Sequence, residues 1–160
     1  MGHMKTYRIL IVGLGGQGVI LCSNILAHAA VGAGYDVKKS EVHGMAQRGG
    51  SVTTHVIIGE KVHSPLVEQG RADIILALEN DEIERVKHYL RPGGITVAVP
   101  DGFAKKLKDP RSINVAMLGL MAKHVEIPEQ AWLDAIKGAL KEKLVPVNIE
   151  AFRTGLAEAR

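Results

Sequence analysis

At 160 residues the chain can bury the core of one domain and is too short for two ordinary ones. Hydrophobic residues make up 46% and charged residues 23%, close to ordinary globular usage, while the aromatic share of 4% is low, so the core must be mostly Ile, Leu, Val and Ala. The net charge of +3 is spread along the chain; its densest basic run, Lys105-Lys106-Leu107-Lys108, lacks interleaved aromatics, so it reads as a solvated loop and no nucleic-acid partner is expected.

Met1-Gly2-His3, ahead of a second methionine at Met4, reads as an expression scar, which leaves residues 4–160 as a single domain. The run Ile9-Leu10-Ile11-Val12, stopped by glycine, predicts a strand buried on both faces. Gly13-Leu14-Gly15-Gly16-Gln17-Gly18 follows, with the spacing of G-x-G-x-x-G, and an apolar helix is expected from Val19 to Val31. In such a turn Gly13, Gly15 and Gly18 permit a tight bend, close approach to a pyrophosphate and close packing of helix on strand, while Gly16 and Gln17 lie at the helix start, where N–H groups face an anion. A glycine turn that only packs a strand against a helix has the same pattern, so both readings stand. Cys22 lies in this helix as a small core residue; as the single cysteine it excludes an intrachain disulfide and an iron–sulfur cluster held by this chain's own thiolates.

Tyr35 to Val42 reads as a second strand. Glu41, near its end, follows Gly18 at about the 20-residue distance at which a dinucleotide fold carries its ribose-binding acid. The stretch Ser40 to Ser51 is polar, rich in glycine (Gly44, Gly49, Gly50) and carries His43, Gln47 and Arg48. It reads either as a flexible connection or as a functional loop, in which the glycines let N–H groups converge on an anion and Arg48 adds a planar, permanently charged fork. Val52 to Ile58 is a strand by its β-branched content, and Gly59-Glu60-Lys61 is expected to turn it into an antiparallel partner over Val62-His63-Ser64, which would make the sheet mixed.

Ala72 to Leu78 predicts another buried strand, with Glu79 at its carboxyl end as a site candidate. Asn80 is expected to cap a helix whose first turn holds Asp81 and Glu82 and whose inner stripe is Ile83, Val86 and Leu90. Arg91-Pro92-Gly93-Gly94 should stop that helix before a strand from Ile95 to Val99. The remainder reads as helical: Ile113 to Val125, a helix opened by Pro128 with Trp132, Ile136 and Leu140 on one face, and a last helix capped by Asn148 that carries Ile149, Phe152 and Leu156.

The histidines show no metal-ligand spacing, and no nucleophile elbow or Walker loop is present, so no metal site is expected and the inventory favours supporting chemistry over performing it. No apolar run reaches the roughly 20 residues that span a bilayer, so no membrane is expected and a cytoplasmic location is the default.

Gly13 to Gly18, the run Ser40-Glu41-Val42-His43-Gly44-Met45-Ala46-Gln47-Arg48-Gly49-Gly50-Ser51-Val52, Ser64-Pro65-Leu66, and Asn114-Val115-Ala116-Met117-Leu118-Gly119 together resemble, in order, the gamma subunit or domain of 2-oxoacid:ferredoxin oxidoreductases, including the subunit of indolepyruvate ferredoxin oxidoreductase that contains this domain. The resemblance implies a three-layer, Rossmann-like α/β domain with a mixed, mostly parallel sheet and a helical C-terminal part. It also implies a non-autonomous subunit that helps to form or close an active site. Thiamine diphosphate, iron–sulfur clusters and coenzyme A are expected in the full complex and none is assigned to this chain alone. The implied partners are large catalytic subunits and, through them, ferredoxin, with homo-oligomers when the chain is isolated. His43 and Arg48 become catalytic candidates, and Gly13, Gly15, Gly16, Gln17, Gly18, Glu41, Gly49 and Gly50 cofactor-binding candidates. The competing reading is a free-standing nucleotide- or coenzyme-binding module; an NAD-dependent dehydrogenase is weaker, since it needs a second domain and a proton relay. Compared with that family the chain is short, mostly between Pro100 and Ser112.

Overall fold

The computed structural model describes residues 4–43 and 50–159, with the side chain of His43 also left aside. A five-stranded sheet forms the centre: β1 (Tyr7–Leu14), β2 (Asp36–His43), β3 (Ser51–Gly59), β4 (Ala72–Ala77) and β5 (Leu90–Val97), in the spatial order β2-β3-β1-β4-β5. β4 and β5 run parallel to β1, and β3 runs antiparallel to both β1 and β2. Four strands therefore share one direction and β3 alone opposes them, as the expected mixed, mostly parallel sheet requires.

Side-chain alternation along β1 explains its unbroken apolar run. Ile9 and Ile11 enter the larger core with α1 (Val19–Gly32), α3 (Ile113–Ala122), α4 (Glu129–Ala139) and α5 (Val145–Glu158). Leu10 and Val12 enter a smaller core closed by Val62 and Val67 of the β3–β4 connection and by Val86 of α2 (Ile83–Val86). Both faces of β1 are buried, and the polar side chains beside them, Thr53, Thr54 and His55, come from β3. Trp132 and Phe152 lie deep in the larger core, their rings 5.5 Å apart. Two tyrosines fix the α3–α4 connection there: Tyr35 Oη donates to the Glu126 carbonyl at 2.9 Å, and Tyr7 Oη accepts from the Glu126 N–H at 3.1 Å.

α3 and α5 approach backbone to backbone. A Cβ at Gly119 would overlap the Phe152 carbonyl oxygen, and one at Gly155 the Ala116 carbonyl oxygen. Glycine at both positions is what allows the crossing.

Several expectations need correction. Val62-His63-Ser64 is not a strand: the Val62 N–H donates to the Asp36 carboxylate at 2.8 Å, and the Val62 side chain plugs the smaller core. The sheet is mixed because of β3 instead. Pro92, Gly93 and Gly94 do not end a helix but lie within β5, at the sheet edge, where Gly93 has φ +80° and the pairing with β4 shifts register. Ahead of them the expected helix is broken into α2 between two 3₁₀ turns, with Val86 buried and Ile83 and Leu90 packed beside it. Asn80 caps nothing; its amide clamps Val99, donating to the carbonyl at 3.0 Å and accepting from the N–H at 2.8 Å. Asn148 lies inside α5, whose first turn carries Pro146, and donates to the Leu144 carbonyl at 2.8 Å. In the Lys105 to Lys108 stretch, Leu107 is buried while Lys106 pairs with Glu158 and Lys108 with Glu150.

His55 on β3 is buried against Tyr89 and accepts the Val67 N–H on Nδ1 at 3.0 Å. Burial holds its pKa below the ordinary histidine value, and burial followed by Lys123 does the same for His124. A folded pKa below the unfolded one means that the unfolded chain binds more protons, so stability is complete above the unfolded value of about 6.5 and falls as pH drops towards the folded value. The melting temperature is therefore expected to fall between about pH 7.5 and about pH 5. His55→Asn, whose amide oxygen can accept from Val67, should flatten that fall in a thermal melt series; an unchanged profile would remove His55 as its cause.

Candidate functional site

The carboxyl ends of β1, β2 and β4 and the start of β3 share one edge of the sheet, and the sequence motifs converge there. β1 leaves the sheet at Leu14 and turns through residues 15–18 into α1. Gly16 and Gly18 take φ +91° and +84°, the left-handed region in which L side chains are strained. No acidic residue occupies the first turn of α1, so its unbonded N–H groups are not answered by a carboxylate of their own helix.

Gln17 ties this turn together. Its Oε1 accepts from the Leu14 N–H at 2.7 Å and its Nε2 donates to Glu79 Oε1 at 3.0 Å, which joins the end of β1 to the end of β4. The Leu78 N–H donates to the Val12 carbonyl at 2.8 Å beside it. The β2–β3 connection reaches the same place, where the Gly15 N–H donates to the Gly50 carbonyl at 2.9 Å. Gly13 is spatially forced: a Cβ there would press on Gln17, Val19 and Leu78.

A cavity of about 230 Å³ opens against this turn, lined by Gly16, Gln17, Leu78, Arg111, Ile113, Asn114 and Met117. Asn114 is buried at the start of α3, and its amide packs so closely on Gly18 that a Cβ there would meet it. Its Oδ1 accepts from the Val115 N–H at 2.9 Å, and its carbonyl accepts from Cys22 Sγ at 3.3 Å. Arg111 is held from one side by the Asp109 carboxylate, Nε to Oδ1 at 3.1 Å and Nη2 to Oδ2 at 2.9 Å, and these hydrogen bonds pull Asp109 below the usual carboxylate range. The site thus combines a helix N-terminus, a guanidinium and a side-chain amide, which suits binding of an anionic ligand. Among the described residues it offers no nucleophile: Cys22 is fully buried, and burial pushes its thiol up. Among the described residues no group of three or more His, Cys, Asp or Glu could hold a metal ion, and no helix is long and apolar enough to cross a membrane.

Gly13, Gly15, Gly16, Gln17, Gly18, Gly50 and Glu79 are therefore gathered at one edge. Glu41 is not among them. β3 intervenes between β2 and β1, so Glu41 sits two strand spacings, roughly 10 Å, from β1. It is exposed and pairs at 3.3 Å with Lys39, which also holds Asn24 Oδ1 at 2.5 Å. The main chain of His43 ends β2 opposite Val52. The His43 side chain, Arg48 and Gly49 lie outside the described residues. Arg111 and Asn114 are additions to the site: Asn114 opens one of the runs that carry the family resemblance, but only the fold brings the start of α3 to the glycine turn.

Residues 8–158 match the family described as pyruvate ferredoxin/flavodoxin oxidoreductase. The chain belongs to this family. Among curated members it is similar to the indolepyruvate oxidoreductase subunits IorB of Thermococcus kodakarensis, 32% identical with 98% of each chain covered, and of Archaeoglobus fulgidus, 33% identical with 95% of this chain and 94% of that one covered. Among solved structures it resembles the keto/oxoacid ferredoxin oxidoreductase gamma subunit of Geobacter sulfurreducens, with 27% identity, a TM-score of 0.79, and 96% of this chain and 98% of that one covered. A 2-oxoglutarate:ferredoxin oxidoreductase from Magnetococcus marinus, solved with 2-oxoglutarate, coenzyme A and succinyl-CoA, shares the fold at TM-score 0.82 and 24% identity. This chain covers 97% of its own length there and 31% of that protein's, so it corresponds to one part of the larger family member.

Proposed function

We propose that this chain is the gamma-type subunit of a 2-oxoacid:ferredoxin oxidoreductase, and that its glycine-turn edge forms one wall of an active site completed by a large catalytic subunit. The observation that carries this reading is the family match over residues 8–158, on a chain whose own site has binding groups but no nucleophile. The similarity to two IorB subunits over nearly their whole length favours an aryl 2-oxoacid such as indolepyruvate as substrate.

Coenzyme A fits the groups at this edge. Its phosphates suit the N–H groups that open α1 and the Arg111 guanidinium, and Asn114 can orient the ligand through its amide. In the complete enzyme the coenzyme's thiol would accept the acyl group. Gln17 and Glu79 keep the turn in shape, and the Gly50 carbonyl at the start of β3 takes the Gly15 N–H beside them. The thiolates that an iron–sulfur cluster needs are not offered here, because the single thiol is buried in α1 and packed against α3; the clusters and thiamine diphosphate belong to the partner subunit, which passes electrons to ferredoxin.

Reconstitution tests this reading. The purified chain should show no oxidation of indolepyruvate with ferredoxin as acceptor, and the same assay should gain activity when the matching thiamine-diphosphate subunit is added. Robust activity of the chain alone would overturn it, as would tight coenzyme A binding with no gain on adding the large subunit.

A further inference from the structure

The Ser64-Pro65-Leu66 run plays no part in the glycine-turn edge. It lies by the amino end of β1, on the smaller-core face, where Thr6, Arg8, Lys61, His63, Ser64 and Arg71 line a cavity of about 280 Å³. Arg8 shares the face of Leu10 and Val12 by alternation along β1. Lys61, His63 and Arg71 come from the β3–β4 connection that crosses this face. Glu68 is the single carboxylate of the lining, against three permanent cations. Among the described residues none of Arg8, Lys61 and Arg71 enters an ion pair, whereas most other arginines do. The nearby Asp73 is already used: it accepts the Arg8 main-chain N–H on Oδ2 at 2.8 Å and pairs with Arg91 through Oδ1 at 2.6 Å.

The connection that presents these cations is fixed at intervals. The Val62 N–H is held by Asp36, the Leu66 N–H by Ser64 Oγ at 3.2 Å, the Val67 N–H by His55 Nδ1, and the Gly70 N–H by the His88 carbonyl at 3.1 Å. Cations concentrated around one concavity repel one another, and a polyanion that bridges them relieves that repulsion without reorganising the backbone. Guanidinium forks add bidentate contacts suited to phosphate oxygens. We infer that this cavity is a second anion site, binding the diphosphate group of a small molecule, on the opposite edge of the sheet from the glycine turn.

Isothermal calorimetry of the full chain with pyrophosphate tests the inference, with ADP as a parallel titrant to show whether a nucleoside adds to affinity. Arg8→Gln and Arg71→Gln should each weaken pyrophosphate binding by about 10-fold, the loss expected for a charge-assisted hydrogen bond. Lys108→Gln, remote and exposed, should leave it unchanged. In the wild-type chain, amide shifts on titration should concentrate at residues 61–71, a readout that needs no variant. Absence of binding by both titrants would overturn the inference. So would equal weakening by Lys108→Gln, which would mean diffuse surface charge. Loss in Arg111→Gln with retention in Arg8→Gln would place the anion at the glycine turn instead, which is the outcome the proposed function predicts if only one site exists.

Discussion

Gly155→Ala is expected to destabilise the fold by about 3 kcal/mol, at the upper end for overpacking a core. For a domain of this length that corresponds to a fall in Tm on the order of 10 °C. The added methyl has no free volume to enter, because the Ala116 carbonyl oxygen already occupies the space where it would go. α3 cannot withdraw, since residues 114–122 are buried along its whole length, and α5 is held by Phe152 in the larger core. Gly138→Ala supplies the comparison. Gly138 lies in α4 with nothing near its would-be Cβ, so alanine there should stabilise by about 0.5–1 kcal/mol through helix propensity. If both substitutions shift the melting curve alike in a denaturation experiment, the close helix crossing is not what demands glycine.

A second pair separates backbone strain from contact at the glycine turn. Gly16 and Gly18 have nearly the same φ, but a Cβ at Gly16 meets nothing, and one at Gly18 meets the Asn114 amide. Gly16→Ala should therefore cost about 1 kcal/mol, the strain of a non-glycine residue at positive φ. Gly18→Ala should cost about 2–3 kcal/mol, since Asn114 must also move and its bond to the Val115 N–H is disturbed. In a reconstituted complex Gly18→Ala should weaken the response to coenzyme A more than Gly16→Ala does. Equal costs in urea denaturation would mean that Asn114 yields freely and that the third glycine of the motif is needed only for its dihedral.

Much of the fold was legible because it depends on short-range pattern. The Ile9 to Val12 run, the glycine turn, the apolar α1 and the stripe through Trp132 and Ile136 are each set by residues near in sequence, and each forms as expected. What was not legible depends on neighbours far along the chain. No local feature says that Val62 plugs a core rather than continuing a hairpin, because the partner that takes its N–H is Asp36. Pro92 and Gly93 look like a helix stop until β5 is known to be a sheet edge, where a missing donor and a register shift do no harm. Asn80 has the chemistry of a cap, but Val99 lies close enough to claim its amide. The same holds for the candidate site: its glycines were readable, whereas Asn114 and Arg111 enter only through the position of α3. Glu41 was read from its distance along the chain to Gly18, which does not reveal that β3 lies between β2 and β1.

The hydrogen bond from the Gly15 N–H to the Gly50 carbonyl joins the turn after β1 to the connection between β2 and β3. Both atoms belong to the main chain, so alanine scanning leaves the link in place, and a displacement at one motif is handed to the other. A backbone amide-to-ester replacement at position 15 would sever it with every side chain in place, uncoupling the loop from the turn.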